Sequence, residues 1–208
     1  MIQFTLFGIP VRVEPLFWVT TALLGGALYA NNQEDMLRTA MFMLAAFVSV
    51  LIHEMGHALT IKKFKLPTNV VLTFMGGYAT YPPGVLTRTR SFLVTLAGPG
   101  VQFAFGIGVM YLRAYLPVQG MQVDSFFYYL VIISLVWAIF NCLPIYPMDG
   151  GQMLAAILGP RRATALHTTG IVTAAAVGIW AIQLNQPFIA IFMGLFAYQN
   201  YQFYKQVS

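Results

Sequence analysis

The stretch "MFMLAAFVSVLIHEMGHALT", residues 41–60, decides the class of fold. Its first half is a run of apolar side chains. Its second half holds His53, Glu54 and His57, two of the chain's three histidines and one of its six acids. Ionisable groups inside a membrane-spanning helix are expensive, and by default they mark function. On a helix, residues four apart lie on one face, about one turn from each other. His53 and His57 can therefore grip one zinc ion, with Glu54 to the side as a general base. The plainer reading is a chance HExxH match, or two core histidines. Two imidazoles without partners inside a span would, however, be a cost with no return. The motif sits about 10 Å from the Lys62 end of its helix at 1.5 Å per residue, within reach of a water-filled cleft.

Composition agrees with the class. Hydrophobic residues make up 59% of the 208 and charged residues only 8%, against about 25% charged in soluble domains. The expected fold is an all-α membrane protein of about six transmembrane helices, with apolar segments near 16–30, 37–60, 91–116, 125–143, 166–184 and 187–204. The first segment reads as a retained span rather than a cleaved signal. The net charge of +5 accompanies no recognition motif, so no nucleic-acid partner is expected; the lipid bilayer is the expected surrounding. The single cysteine, Cys142, excludes an internal disulfide and reads as a small packed hydrophobe.

Basic residues set the orientation. Six spans put Arg12, Lys62, Lys63, Lys65, Arg88, Arg90, Arg161, Arg162 and Lys205 on one side, and Arg38 and Arg113 on the other. The richer side is expected to be cytoplasmic and to hold both termini, in a multi-pass protein of the cell membrane. Trp18, Tyr29, Tyr111, Tyr115, Tyr201 and Tyr204 fall near span ends and read as interfacial anchors. His167 reads as an interfacial residue.

Two segments alternate instead. "IQFTLFGIPVRVEP" turns around Gly8-Ile9-Pro10, and "NVVLTFMGGYATYP" around Gly76-Gly77. Residues 1–15 are thus expected to be strand-like, and residues 69–82 to form a membrane-associated β-hairpin, both on the cytoplasmic side of a single domain spanning 1–208. Two unrelated amphipathic loops are the plainer alternative. Gly76 and Gly77 are candidate substrate-binding positions, because they allow a tight turn or a close backbone approach.

A catalytic zinc usually has three protein ligands. Asp149, in "NCLPIYPMDGG", stands on the same side as the histidines, where Pro144 and Pro147 break the helix and require a protein-lined cavity. The competing role for Asp149 is to cap the short helix that follows. Asn141 is a candidate hydrogen-bond donor to an oxyanion or to the substrate backbone, and equally a candidate cap for the span it ends.

"HEMGH" in one span and "NCLPIYPMDGG" closing a later one resemble the paired motifs of the site-2 protease family of intramembrane metalloproteases, with Asn141, Pro144, Pro147, Asp149, Gly150 and Gly151 all matching. "LAGPG" at 96–100 resembles the Ala-Gly-Pro segment of that family, and "FGIPVRVEPLF" the start of its compact members. Two positions depart: Met148 replaces the more usual Leu, and Gln102 stands where many members have Asn. The resemblance implies hydrolysis of peptide bonds in or near transmembrane helices of membrane-protein substrates. It implies one zinc per chain held by His53, His57 and Asp149, with Glu54 catalytic. The sequence offers no candidate for the PDZ or CBS domains that some members carry, so a compact, prokaryotic member is expected. A non-proteolytic zinc-binding protein or transporter is the alternative; it would need polar residues through several spans, whereas these collect at one depth. Natural substrate and oligomeric state are not encoded in any motif.

Overall fold

The computed structural model describes residues 1–116 and 120–207. The chain divides into two compact units, residues 1–85 with 97–139 and residues 86–96 with 140–208.

The first unit begins with a β-hairpin, β1 (Ile2–Leu6) and β2 (Ile9–Val13). Its turn falls at Phe7-Gly8, one residue earlier than the sequence pattern suggests, with φ of 50° and 71°. Two successive positive φ angles make the tight turn whose twist suits a hairpin. Pro10 therefore lies within β2, opposite Thr5, as an exposed residue. In β2, Ile9, Val11 and Val13 are buried while Pro10 and Arg12 are exposed, which is the period-2 pattern of a strand with one dry face.

A short helix, α1 (Pro15–Leu24), with proline in its first turn, leads to the 31-residue α2 (Gln33–Lys63). The Asn32 side chain accepts from the Asp35 amide at 2.9 Å, capping α2. Glu34 and Asp35 lie in its first turn and Lys62 and Lys63 in its last, the charge order that the helix dipole favours. After α2 come β3 (Asn69–Thr73) and β4 (Gly76–Thr80). The sheet order is β1-β2-β3-β4, with β2 and β3 parallel and the other pairs antiparallel. Gly76 and Gly77 stand inside β4 rather than at the turn, which is made by Phe74 and Met75. One core joins sheet and helices: Ile9, Val11, Val13, Val70 and Leu72 from the strands, Phe17 from α1, and Val50, Met55 and Ala58 from α2. Trp18 belongs to this packing. It stacks on Phe47 with ring centroids 5.4 Å apart, so it is a core-edge residue rather than an interfacial anchor.

Helix α3 (Arg88–Tyr115) carries Pro99 in its interior, and α4 (Met121–Asn141) follows. In the first unit a second cluster, Ala45, Val109 and Leu130, packs α2, α3 and α4 together. Val101, Phe103, Met110 and Leu112 on α3 and Ile132, Val136 and Ile139 on α4 stay exposed, as expected of faces turned to lipid.

The second unit contains α5 (Asp149–Leu158), α6 (Ala163–Gln183) and α7 (Pro187–Val207). Ile145 and Met148 from the loop before α5 pack with Ala174 of α6 and Met193 of α7. Among the described residues, four segments are long and apolar enough to cross a membrane: Gln33–Lys63, Arg88–Tyr115, Gln122–Asn141 and Pro160–Gln183. Helix α1, at 10 residues, is about 15 Å long, half the hydrocarbon thickness. The fold is thus mostly helical with a small sheet.

Candidate functional site

His53, Glu54 and His57 lie in the last third of α2 and are 3%, 4% and 8% exposed. The two imidazoles meet through their Nε2 atoms at 3.1 Å, with ring centroids 4.8 Å apart. Two nitrogens bound tetrahedrally to one zinc at 2.0–2.1 Å would be about 3.3 Å apart. The pair fits that ion with a shift of a few tenths of an ångström.

The approach of neighbouring backbone explains why this turn can be so enclosed. A β-carbon on Gly98 would lie 2.2 Å from His57 Nε2, and one on Gly56 would lie 2.6 Å from the Ala97 carbonyl oxygen. Glycine at both positions lets α2 and α3 come together with the His57 ring lying against the backbone of "LAGPG". A β-carbon on Gly77 would lie 2.7 Å from Glu54 Cγ and 2.9 Å from its Oε1. Strand β4 therefore runs directly against the Glu54 carboxylate, and Gly77 is the residue that leaves room for it. Gly76, at φ 113°, sits in the left-handed half of backbone space that favours glycine, with the Trp137 ring 3.1 Å from where its β-carbon would be.

Behind His53 lies a polar chain that the sequence did not disclose. His53 Nδ1 is 2.8 Å from Gln102 Oε1. Gln102 Nε2 donates to Ser49 Oγ at 2.9 Å and to the Ser49 carbonyl at 3.3 Å. Ser49 Oγ is 2.9 Å from Ser134 Oγ. Gln102, Ser49 and Ser134 are fully buried. A polar residue at i−4 from His53 on α2 was the available signal, and it reads as an ordinary small helix residue without the partners from α3 and α4.

Asp149 belongs to the second unit. It is the first residue of α5, with Met148 as the N-cap, so the capping role considered for it falls to its neighbour. It is buried, at 8% exposure. The two glycines after it are dictated by the loop: β-carbons there would lie 2.1 Å from the Cys142 carbonyl oxygen and 2.4 Å from the Ile145 carbonyl carbon. "NCLPIYP" therefore folds back onto the first turn of α5, through a cis peptide bond at Tyr146-Pro147. Asn200, fully buried on α7, holds that loop. Its Nδ2 donates to the carbonyls of Tyr146 at 2.6 Å and Phe196 at 2.9 Å, and its Oδ1 is 3.2 Å from His167 Nδ1. His167 is buried and stacks on Phe203; it is a packing and hydrogen-bonding residue, not an interfacial one. Asn141 is the last, partly buried residue of α4. Cys142, just past the end of α4, is exposed and is therefore not the packed small hydrophobe that the sequence suggests.

Residues 116–184 match the model of peptidase family M50. A zinc metalloprotease of Methanocaldococcus jannaschii is 28% identical over 76% of this chain and 45% of its own length. A relative from Synechocystis is 29% identical over 84% of this chain and 48% of its own. Stage IV sporulation protein FB of Bacillus subtilis is 24% identical over 92% of this chain and 66% of its own. The chain thus spans about half the length of the first two relatives. The solved structure of the site-2 protease from Methanocaldococcus jannaschii superposes with a TM-score of 0.68 at 23% identity, over 98% of this chain and 94% of that one. The chain has the fold of a site-2 protease, and its resemblance to that family, carried by "HEMGH" and "NCLPIYPMDGG", extends to the peptidase M50 match and to a relative named as a zinc metalloprotease.

Proposed function

We propose that this protein is an intramembrane zinc metalloprotease that hydrolyses peptide bonds in or near the transmembrane helices of membrane-protein substrates. The observation that carries the reading is the buried pair of imidazole Nε2 atoms, 3.1 Å apart on one turn of α2, with Glu54 beside them under β4. His53, His57 and Asp149 are the proposed ligands of one zinc ion. When bound, zinc supplies a Lewis acid and a water that ionises near neutral pH. Glu54 takes the proton of the attacking water and delivers it to the leaving nitrogen. Asn141 donates a hydrogen bond to the developing oxyanion or to the substrate backbone. Burial of all three proposed ligands supports the assignment, because a buried carboxylate or imidazole needs a charged or hydrogen-bonding partner.

A transmembrane substrate must unwind before its carbonyl can be attacked. Strand β4 ends the sheet and touches Glu54 through Gly77. An extended substrate segment pairing along β4 would thus be delivered beside the general base. Tyr78 and Ala79 are adjacent in β4, so their amides point to opposite edges. Proline at one of the two should leave the sheet and its thermal stability intact while abolishing cleavage. Full cleavage by both folded variants would remove β4 from substrate binding.

The six apolar segments, α1 and α7 included, are proposed to lie in the cell membrane with both termini on the cytoplasmic side, where the basic residues gather. The deciding experiment measures zinc content and cleavage of a model transmembrane substrate for the wild type and Glu54→Gln. The expected result is zinc retained and cleavage lost. Full-rate cleavage by the variant would refute the mechanism, and zinc transport without cleavage in either protein would favour the non-proteolytic alternative.

A further inference from the structure

From the polar chain behind His53 we infer that Gln102 is a positioning residue that fixes the tautomer of His53 and thereby its metal-binding nitrogen. The inference rests on the reading of His53 as a zinc ligand. Its direction follows from hydrogen-bond chemistry. The Ser49 carbonyl can only accept, so the Gln102 atom facing it, 3.3 Å away, is the amide nitrogen. The amide oxygen then faces His53 Nδ1 at 2.8 Å. An amide oxygen can only accept, so Nδ1 carries the proton. Nε2, the atom 3.1 Å from its counterpart on His57, is left with its lone pair directed away from the Gln102 side.

The remaining links set the amide itself. Ser49 Oγ accepts from Gln102 Nε2 at 2.9 Å and shares a second hydrogen bond with Ser134 Oγ, 2.9 Å further on. Three helices contribute: Ser49 and His53 from α2, Gln102 from α3 and Ser134 from α4. Every residue in the chain is at most 3% exposed, so water does not compete for these bonds. Flipping the Gln102 amide would set its NH₂ group against Nδ1–H and its oxygen against the Ser49 carbonyl, which makes the arrangement one-directional. A ligating imidazole whose other nitrogen donates to a fixed acceptor is held in tautomer and in ring orientation, and loss of such partners typically costs 10–100-fold in metal affinity.

The test uses the purified full chain in detergent, stripped of metal and titrated with zinc alone, together with ¹⁵N spectra of the three histidine rings. Metal-free wild type should show His53 as the Nδ1–H tautomer. Gln102→Met, which keeps side-chain volume but has no acceptor oxygen, should show mixed tautomers and bind zinc about 10–100-fold more weakly. Gln102→Glu keeps an acceptor toward Nδ1 but sets a second oxygen against the Ser49 carbonyl, so it should bind zinc more weakly than wild type yet more tightly than Gln102→Met. A role in packing alone predicts the opposite order, since a buried carboxylate disturbs an apolar interior more than a methionine does. His53→Ala separates the two readings. Should it bind zinc like wild type, the ligand assignment itself fails; should it lose zinc while Gln102→Met does not, only the role of Gln102 fails. If Gln102→Met does not fold, the wild-type tautomer decides: an Nε2–H tautomer in the metal-free protein overturns the inference.

Discussion

Gly98→Ala is a test of whether "LAGPG" exists to seat His57. The added β-carbon would lie 2.2, 2.3 and 2.8 Å from Nε2, Cε1 and Cδ2 of the imidazole. Ordinary non-bonded contacts begin near 3.5 Å, so ring and helix must separate by about 1.3 Å. Metal-ligand distances tolerate about 0.2 Å. A shift several times that size takes Nε2 out of the coordination sphere, and zinc binding should fall at least tenfold. Stability has an opposing pair of contributions. Overpacking a well-filled interior costs about 1–3 kcal/mol net, whereas alanine is about 1 kcal/mol better than glycine in a helix interior. With the ring deleted, only the second contribution is left. Gly98→Ala should therefore destabilise the wild type by about 1–3 kcal/mol and stabilise a His57→Ala background by about 1 kcal/mol. The coupling between the two sites should be about 2–4 kcal/mol, well above what distant sites show. The assay is zinc stoichiometry with unfolding midpoints for the four proteins of the cycle, all metal-free for the stability arm. Equal effects of Gly98→Ala with and without His57, or wild-type zinc affinity in the single variant, would refute the reasoning.

Gly77→Ala places a β-carbon 2.7 Å from Glu54 Cγ and 2.9 Å from Oε1. Displacing a general base costs about 10²–10⁴-fold in rate, so single-turnover cleavage should fall by at least 10²-fold while zinc content stays at the wild-type level. Asn200→Leu removes the donor to the Tyr146 and Phe196 carbonyls and the partner of His167. Leaving the Tyr146 carbonyl and His167 without this partner costs about 1–3 kcal/mol, read as a lower unfolding midpoint; a variant as stable as wild type would show that the loop before α5 is held by packing alone.

The candidate metal-site residues stand out in the sequence because their signals are local. HExxH places two imidazoles on one face by helix geometry alone, and the prolines and glycines of "NCLPIYPMDGG" announce a broken helix whatever surrounds it. What the sequence hid depends on three-dimensional partners. Gly77 looks like a turn residue beside Gly76, because two glycines after an alternating run suggest a hairpin tip. The tip is Phe74-Met75, and the glycines are explained only by the Glu54 and Trp137 side chains pressed against them. Gln102 looks like a departure from a family pattern until Ser49 and His53 come into reach. His167 and Asn200 are 33 residues apart, so no local pattern could pair them. Trp18 sits near a span end by count, yet it is partly buried and stacks on Phe47 of α2. Helix α1 reads as a span from its apolar run, and its length follows from the Gly25-Gly26 pair that stops it.

The distribution of buried polarity gives the final reason to read α2 as catalytic rather than as a conduit. Elsewhere the helices of the first unit pack mainly through apolar side chains: Ala45, Val109 and Leu130 form one contact cluster, Val50, Met55 and Ala58 join another, and the buried Thr21 and Thr39 bond to nearby backbone carbonyls. Against that background Ser49, His53, Glu54, His57, Gln102 and Ser134 are buried and fall within about two and a half turns of α2 and the facing turns of α3 and α4. A buried polar group without a partner costs several kcal/mol in a bilayer interior. A permeation pathway spreads that cost along a channel and needs exchangeable, hydrated partners at many depths. Here the bonds between Ser134, Ser49, Gln102 and the Nδ1 face of His53 are short and dry. Such a chain can hold one ring in one orientation and is poorly suited to passing an ion from site to site. That rigidity is what a reaction centre requires, because a ligand pair displaced by half an ångström no longer fits its metal.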